Sequence, residues 1–288
     1  MRKYIIFIFI ITIALVFPTK AFALSIYDLQ PKVEAASITA KSVVVLNQAT
    51  GEVLYEQGSG ESRVPASLVK LTTVLVALDV VSNWNSLCTV GALDRVGGVE
   101  ITKKDTAVTY TMQSLLYATL IPSANDAATA LARCSGVSHG DFLARMNDKA
   151  RGQGAVNTSY VDFSGISNQN VTTASDMAHI ANSAFSTDRV RAITRLQSYR
   201  FCSVNKQCQS LRNTNQLLKD TSLSTVAGKT GTLDGAINFA GSFKDSQGHY
   251  FIVVVLGGST KESRFSEAKE LVRFASSRAS WSDQFAEK

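Results

Sequence analysis

The two ends of the chain have strand-like patterns, whereas its middle has helical spacing. Residues 42–47 and 52–56 flank a short turn and predict an antiparallel pair of strands. From about residue 71 to residue 194, apolar residues recur at helical spacing instead. The predicted helices run from Pro65 to Leu78 and over residues 111–120, 125–132, 141–151 and 175–185. Further strands are predicted over residues 196–201, 209–212, 226–232, 238–244 and 250–256, followed by a closing helix over residues 263–275.

Strands at both ends of a mostly helical middle predict one antiparallel sheet built from both termini. The helices would form a subdomain inserted between the two groups of strands. The 288 residues, 45% of them hydrophobic, suffice to bury a sizeable core. The sequence therefore predicts a mixed α/β fold of the α+β type.

Residues 1–23 have the pattern of a secretory signal peptide. Arg2 and Lys3 precede an apolar run over residues 4–17, and a small-x-small cleavage site ends at Ala23. An uncleaved membrane anchor is the alternative, but the apolar run is short for a full span. We therefore expect export to the periplasm or cell-wall space, with residues 24–288 forming one mature domain and no stable membrane anchor.

The charge of the mature chain gives no reason to expect a nucleic-acid partner. Loss of residues 1–23 removes three basic residues and lowers the net charge from +6 to +3, with 26 basic against 23 acidic residues. No basic stripe interleaved with aromatic residues is present.

Four cysteines in an exported chain can pair in three ways. Cys202 and Cys208 flank a predicted hairpin tip, which favours a disulfide between them. Cys88 and Cys134 would then pair by elimination. Free thiols are the alternative, while a zinc site is disfavoured because the spacings fit no common finger and no histidine lies near either pair.

The first candidate motif is S-x-x-K at Ser67 and Lys70. Ser67 falls at the start of a predicted helix, and Lys70 lies one turn later on the same face. A neutral lysine amine can take the proton of a serine hydroxyl, and a helix start offers N–H groups to an oxyanion. The motif is short, however, and residues 203–206 and 266–269 match it too.

The second candidate motif is S-x-N at Ser123 and Asn125, in a turn between two predicted helices. Ser123 could transfer a proton, and Asn125 could bind a substrate carbonyl. Helix capping explains the same residues equally simply, and residues 203–205 repeat the pattern.

The third candidate motif is K-T-G at Lys229, Thr230 and Gly231. Lys229 and Thr230 could together bind a carboxylate. Glycines within a strand pattern, Gly228 and Gly231, indicate the close approach of a ligand backbone. A phosphate-binding loop is excluded, because that motif requires glycine at position 223, where this chain has leucine.

In this order, the three motifs resemble those of the penicillin-recognising serine acyl-transferases. The residues that flank them resemble the serine D-Ala-D-Ala carboxypeptidases, or low-molecular-mass penicillin-binding proteins, in particular. The quoted matches are residues 65–72, 121–128, 213–218 and 228–232. The similarity runs from about Ser42 to Ala275, which is nearly all of the mature chain.

The resemblance implies a β-lactamase/transpeptidase-like fold and a role for each motif residue. It gives the following roles: Ser67 as the acylated nucleophile, Lys70 as its base, Ser123 as a proton relay, Asn125 as the ligand of the peptide carbonyl, Lys229 and Thr230 as ligands of the terminal carboxylate beside Gly231, and the N–H groups of Ser67 and Thr232 as the oxyanion hole. Substrates would be peptidoglycan stem peptides ending in D-Ala-D-Ala, β-lactam antibiotics would be covalent inhibitors, and no cofactor or metal is implied. A lysine base must be neutral near pH 7, and both burial and the charge of Lys229 would lower the pKa of Lys70.

Other functions remain open at this point. Members of this branch often carry an extra β-rich domain and a membrane-surface helix, for which residues 276–288 are too short, so a D,D-endopeptidase that cuts cross-links is the main alternative. A β-lactamase with K-T-G would need a glutamate that activates water, and residues 165–175 contain none. A catalytically silent peptidoglycan-binding protein would not require the three motifs.

Overall fold

A computed structural model describes the backbone of residues 38–286 and the side chains of residues 38–277, so the predicted signal peptide lies outside the described residues. The described strands are β1 (Ser42–Asn47), β2 (Val53–Gln57), β3 (Leu87–Val90), β4 (Val108–Thr111), β5 (Ser198–Cys202), β6 (Cys208–Arg212), β7 (Ser224–Leu233), β8 (Ala236–Lys244) and β9 (Tyr250–Leu256). The described helices are α1 (Val69–Val80), α2 (Met112–Leu120), α3 (Asn125–Arg133), α4 (His139–Gly152), α5 (Ala174–Ser186), α6 (Asp188–Thr194) and α7 (Ser263–Ala286).

The main sheet has five antiparallel strands in the order β2-β1-β9-β8-β7. Strands β1 and β2 come from the amino-terminal part, and β7 to β9 come from the carboxy-terminal part. The two groups join where β1 pairs with β9, so that Val44 lies opposite Val254. The prediction of one sheet built from both termini, with the helices inserted between, is confirmed. Strand β7, which carries the K-T-G motif, lies at one edge of this sheet.

The two faces of the sheet are covered by different helices. On one face, Phe239 of β8 packs edge-on against Phe265 of α7, with ring centroids 5.5 Å apart. The other face contributes Ile252 and Val254 to the main core, together with α1, α2, α3 and α5. Within that core, α1 is buried on all sides from Val69 to Ala77, as expected of a helix that is apolar all round. Lys70 is part of this buried stretch.

Several predicted boundaries needed correction. A 3-10 turn over Ala66–Leu68 carries Ser67, and α1 begins after it at Val69. Strands β3 and β4 were not predicted, because each has four residues and is too short to show a period in a helical region. Helix α2 begins at Met112, because the Thr111 hydroxyl accepts the N–H of Ser114 and caps the helix.

Both predicted disulfides are present. Cys202 and Cys208 pair across the β5–β6 hairpin, and Cys88 of β3 is joined to Cys134 at the end of α3. Within the described part of the chain, no helix is both long and apolar enough to cross a membrane.

Candidate active site

The side chains of the first two motifs meet at the amine of Lys70. Its Nζ lies 3.0 Å from Ser67 Oγ and 2.7 Å from Asn125 Oδ1. It also donates to the Ser164 carbonyl at 2.5 Å, a partner that the sequence motifs do not include. Three hydrogen-bond partners therefore fix the amine beside Ser67, whose hydroxyl is partly exposed.

The environment of Lys70 favours its neutral form. The side chain is 0% exposed, and burial lowers its pKa to about 7, although the charges of Asp162 and Asp126 act in the opposite direction. With a pKa of about 7, roughly half of this amine is neutral at pH 7, and the neutral form can accept the Ser67 proton. The pair thus has the geometry and the protonation state of a nucleophile and its base.

Lys229 lies on the other side of the same site. Its Nζ is 2.6 Å from Ser123 Oγ and 2.8 Å from the Thr230 carbonyl. Burial lowers the pKa of Lys229 well below its ordinary value, and the charges of Lys70 and then Arg264 lower it further. The pKa of Lys70 is lowered by burial, whereas the repulsion between the two lysines lowers the pKa of Lys229. A carboxylate bound at Lys229 would favour its charged form.

Two residues of the site have left-handed backbones although neither is glycine. Ala66, next to Ser67, has φ +50°, and Ser123 has φ +67°. Such conformations are strained for residues with a Cβ and persist where surrounding contacts enforce them. Hydrogen bonds flank both positions, from Leu68 N to the Pro65 carbonyl at 3.3 Å and from Ala124 N to the Ala118 carbonyl at 3.1 Å.

The 3-10 turn that carries Ser67 is held by backbone contacts from two sides. A Cβ on Gly165 would lie 1.9 Å from the Ala66 carbonyl oxygen, and one on Gly231 would lie 2.7 Å from that of Pro65. The Asn238 amide also donates to the Pro65 carbonyl at 3.0 Å. At Gly231 the closely approaching group is therefore this turn, which corrects our interpretation of that glycine as a site of ligand approach.

Gly228 needs the same correction. A Cβ at this position would lie 2.4 Å from Nδ2 of Asn215. The side chain of Asn215 therefore occupies the space that we assigned to a ligand, and Gly228 is required by packing within the protein.

Polar residues outside the motifs complete the site along β7. Thr230 Oγ1 donates to Thr214 Oγ1 at 2.6 Å. Arg264 of α7 is buried, and its Nη1 donates to Thr232 Oγ1 at 2.8 Å. Burial lowers the pKa of Arg264 to about 10, with the charge of Glu262 opposing that change. Our sequence analysis missed Arg264, because a closing helix gives no signal of which side chain reaches the sheet edge.

Asn125 is oriented by the loop that precedes β4. Its Nδ2 donates to the Gly97 carbonyl at 2.6 Å, and its backbone N–H donates to the Val99 carbonyl at 2.6 Å. With Nδ2 directed to that loop, Oδ1 faces Lys70.

The site thus brings together the hydroxyls of Ser67 and Ser123 and the buried amines of Lys70 and Lys229. Such a set can carry out acyl transfer through a covalent serine intermediate. Among the described residues, no group of three or more His, Cys, Asp or Glu side chains is placed to bind a metal ion.

Comparisons with known proteins agree with this chemistry. The sequence profile of the D-alanyl-D-alanine carboxypeptidase family matches residues 30–260. A D-alanyl-D-alanine endopeptidase of Haemophilus influenzae is 31% identical over 196 residues, covering 67% of this chain and 66% of the relative. A D-alanyl-D-alanine carboxypeptidase of Escherichia coli is 30% identical over 268 residues, covering 87% of this chain and 64% of the relative. This chain therefore spans about two thirds of the length of these two relatives.

Among solved structures, a penicillin-binding protein of Listeria monocytogenes in its cefotaxime-bound form is similar to this chain. It superposes with a TM-score of 0.73 at 28% identity, covering 85% of this chain and 99% of the other. The resemblance thus includes the fold as well as the motifs.

The close contact at Gly165 predicts a steric cost for adding a side chain there. Gly235 has a similar backbone conformation without that contact, so it separates the steric cost from backbone strain. Gly165 and Gly235 have φ +81° and +71°, but a Cβ on Gly235 would have no neighbour within 4 Å. Gly235→Ala should cost about 1 kcal/mol of unfolding free energy, the left-handed penalty alone. Gly165→Ala should cost at least about 2 kcal/mol more, because the turn at Ala66 must move. Urea unfolding of both variants measures the difference, and equal losses would contradict the close packing at Gly165.

Proposed function

We propose that this chain, which belongs to the D-alanyl-D-alanine carboxypeptidase family, removes the terminal D-alanine from peptidoglycan stem peptides through an acyl-enzyme on Ser67. The observation that carries this proposal is the contact between Ser67 Oγ and the buried amine of Lys70, whose pKa burial lowers to about 7. An isolated S-x-x-K match would not bury its lysine or give it two further acceptors.

In the first half of the reaction, Lys70 accepts the Ser67 proton and Oγ attacks the carbonyl carbon of the D-Ala-D-Ala bond. A C–O bond forms, the C–N bond breaks, and the proton goes to the departing amine of D-alanine. Ser123, 2.6 Å from Lys229, would relay that proton. In the second half, water attacks the ester, releasing the shortened peptide and restoring the Ser67 hydroxyl.

Strand β7 would bind the peptide backbone. Among the described strands, β7 pairs only with β8, so its other edge is available for an added strand. Lys229 and Thr230 would bind the terminal carboxylate, and Asn125 Nδ2 would donate to the peptide carbonyl. The N–H groups of Ser67 and Thr232 would stabilise the oxyanion.

A D,D-endopeptidase is the second candidate, favoured by the Haemophilus influenzae relative of that name. Both activities use the same acyl-enzyme and differ in whether the leaving group is free D-alanine or a cross-linked stem. β-lactams would acylate Ser67 in either case, as the cefotaxime-bound Listeria monocytogenes protein suggests. Both candidates fit an exported enzyme whose signal peptide is residues 1–23.

Efficient β-lactam hydrolysis is not favoured, because it requires a base for the deacylating water. Residues 160–175 contain no glutamate. Asp162 is the carboxylate of that segment whose charge acts on Lys70, and both its oxygens accept hydrogen bonds from the turn that follows. We therefore expect a long-lived penicilloyl-enzyme.

Labelling by a fluorescent penicillin tests the assignment of the nucleophile. Ser67→Ala and Lys70→Ala should each abolish labelling, because one removes the nucleophile and the other its base. Ser203→Ala and Ser266→Ala are matched controls, since they alter the two other S-x-x-K sequences, and both should label like the unaltered protein. Peptide mapping that places the adduct on Ser203 or Ser266 would refute the assignment.

Digestion of purified muropeptides distinguishes the two candidate activities. The mature protein should shorten uncross-linked pentapeptides by one D-alanine, as detected by mass spectrometry, and Ser67→Ala should leave them intact. Cleavage of cross-linked dimers without shortening of pentapeptides would support the endopeptidase instead. If both muropeptides remained intact although penicillin acylated Ser67, neither activity would stand.

A further inference from the structure

The turn formed by residues 162–170, here called the Asp162 turn, is organised around one carboxylate. Oδ1 of Asp162 accepts the N–H groups of Ser164 at 2.7 Å and Gly165 at 2.5 Å. Oδ2 accepts the N–H of Ser167 and Nδ2 of Asn170, both at 2.8 Å. The side chain thus fixes the course of the backbone from residue 163 onward, and the acylation mechanism described above gives it no role.

Three consecutive residues of this turn contact the elements that carry the nucleophile and its base. The Phe163 carbonyl accepts from Thr73 Oγ1 of α1 at 2.7 Å. The Ser164 carbonyl accepts from Lys70 Nζ at 2.5 Å. Gly165 packs so closely on the Ala66 carbonyl that a Cβ would have no room.

We propose that Asp162 is a positioning residue for the Ser67–Lys70 pair, which holds the Ser164 carbonyl on the Lys70 amine and supplies a negative charge to the site. This inference rests on the proposed function, since it assigns Asp162 to the acylation step. Asp162 acts through the backbone of its turn and through its field, and it does not touch the reacting atoms.

The charged groups that face Lys70 determine whether loss of the Asp162 charge raises or lowers the pKa of Lys70. Asp162 faces it from the turn, Asp126 from α3 and Lys229 from β7. Burial lowers the pKa of Lys70 to about 7, and the two carboxylates limit that lowering. Burial raises the pKa of the Asp162 carboxyl, but its hydrogen bonds from Ser167, Gly165, Asn170 and Ser164 outweigh burial and keep it below the usual value. Asp162 is therefore an anion wherever Lys70 titrates.

The test is the pH dependence of Ser67 acylation by penicillin in Asp162→Asn. Acylation requires neutral Lys70, so its rate rises with pH through the pKa of Lys70, about 7 in the unaltered protein. Loss of the Asp162 charge should lower the pKa of Lys70, so this rise in rate, the acid limb of the pH profile, should move to lower pH. The expected shift is about one pH unit, as for an opposite charge close by. Asp176→Asn is the matched control: that buried carboxylate accepts from Asn157 N at 2.7 Å, and the charges that act on Lys70 are those of Asp162 and Asp126, so the limb should stay in place.

A purely structural role predicts a different result. If Asp162→Asn only released the turn, water would reach Lys70, its pKa would rise towards the ordinary 10.5 and the acid limb would move to higher pH. A limb that moves up or stays in place therefore overturns the inference.

Asp162→Glu keeps the inference testable if Asp162→Asn fails to fold. It retains the charge but cannot accept all four of these hydrogen bonds in the same geometry, so acylation should slow by tenfold or more with its acid limb unmoved. A wild-type rate in this variant would overturn the positioning role. Absence of Ser67 acylation at every pH in the unaltered protein would overturn the proposed function and this inference together, whereas normal acylation without the Asp162→Asn shift overturns this inference alone.

Discussion

The structure depends most on the burial of one amine. Lys70 lies in a helix that is buried on every side, where a charged ammonium is costly and a neutral amine is tolerated. The fold meets this constraint by giving Nζ three hydrogen-bond partners, from the Ser67 turn, from α3 and from the Asp162 turn. Each comes from a different part of the chain. The same contacts that make burial of Lys70 tolerable therefore also place it beside the hydroxyl that it would activate.

Rigidity around Ser67 follows from the same arrangement. Gly165 packs against one side of the 3-10 turn and Gly231 against the other. Ala66, which lies between them, has a left-handed conformation. A nucleophile on such a turn keeps its orientation without substrate, which lowers the entropic part of the barrier to acylation. Strand β7 contributes twice, since it supports the Ser67 turn through Gly231 and supplies Lys229, which contacts Ser123.

Sequence reasoning predicted those parts of the fold and site that are local in the chain. The sheet from both termini and the Cys202–Cys208 disulfide followed from periodicity and spacing. Groups that act across the fold gave no local signal. Asn238 and Arg264 contact the site through tertiary packing, and Asp162 acts on it through the backbone of its turn. Gly231 shows the limit most clearly, because the pattern indicated a close approach but could not tell a ligand from the Pro65 carbonyl.

Direct titration of Lys70 is the measurement that tests the central claim. In protein with isotope-labelled lysine side chains, NMR can follow each ε-methylene with pH, and the resonance lost in Lys70→Arg identifies the residue. The structure predicts that this resonance titrates at about pH 7 in the protein without substrate. Titration near the ordinary lysine value of 10.5 would mean that Lys70 is a cation under working conditions, and it could not then be the base for Ser67.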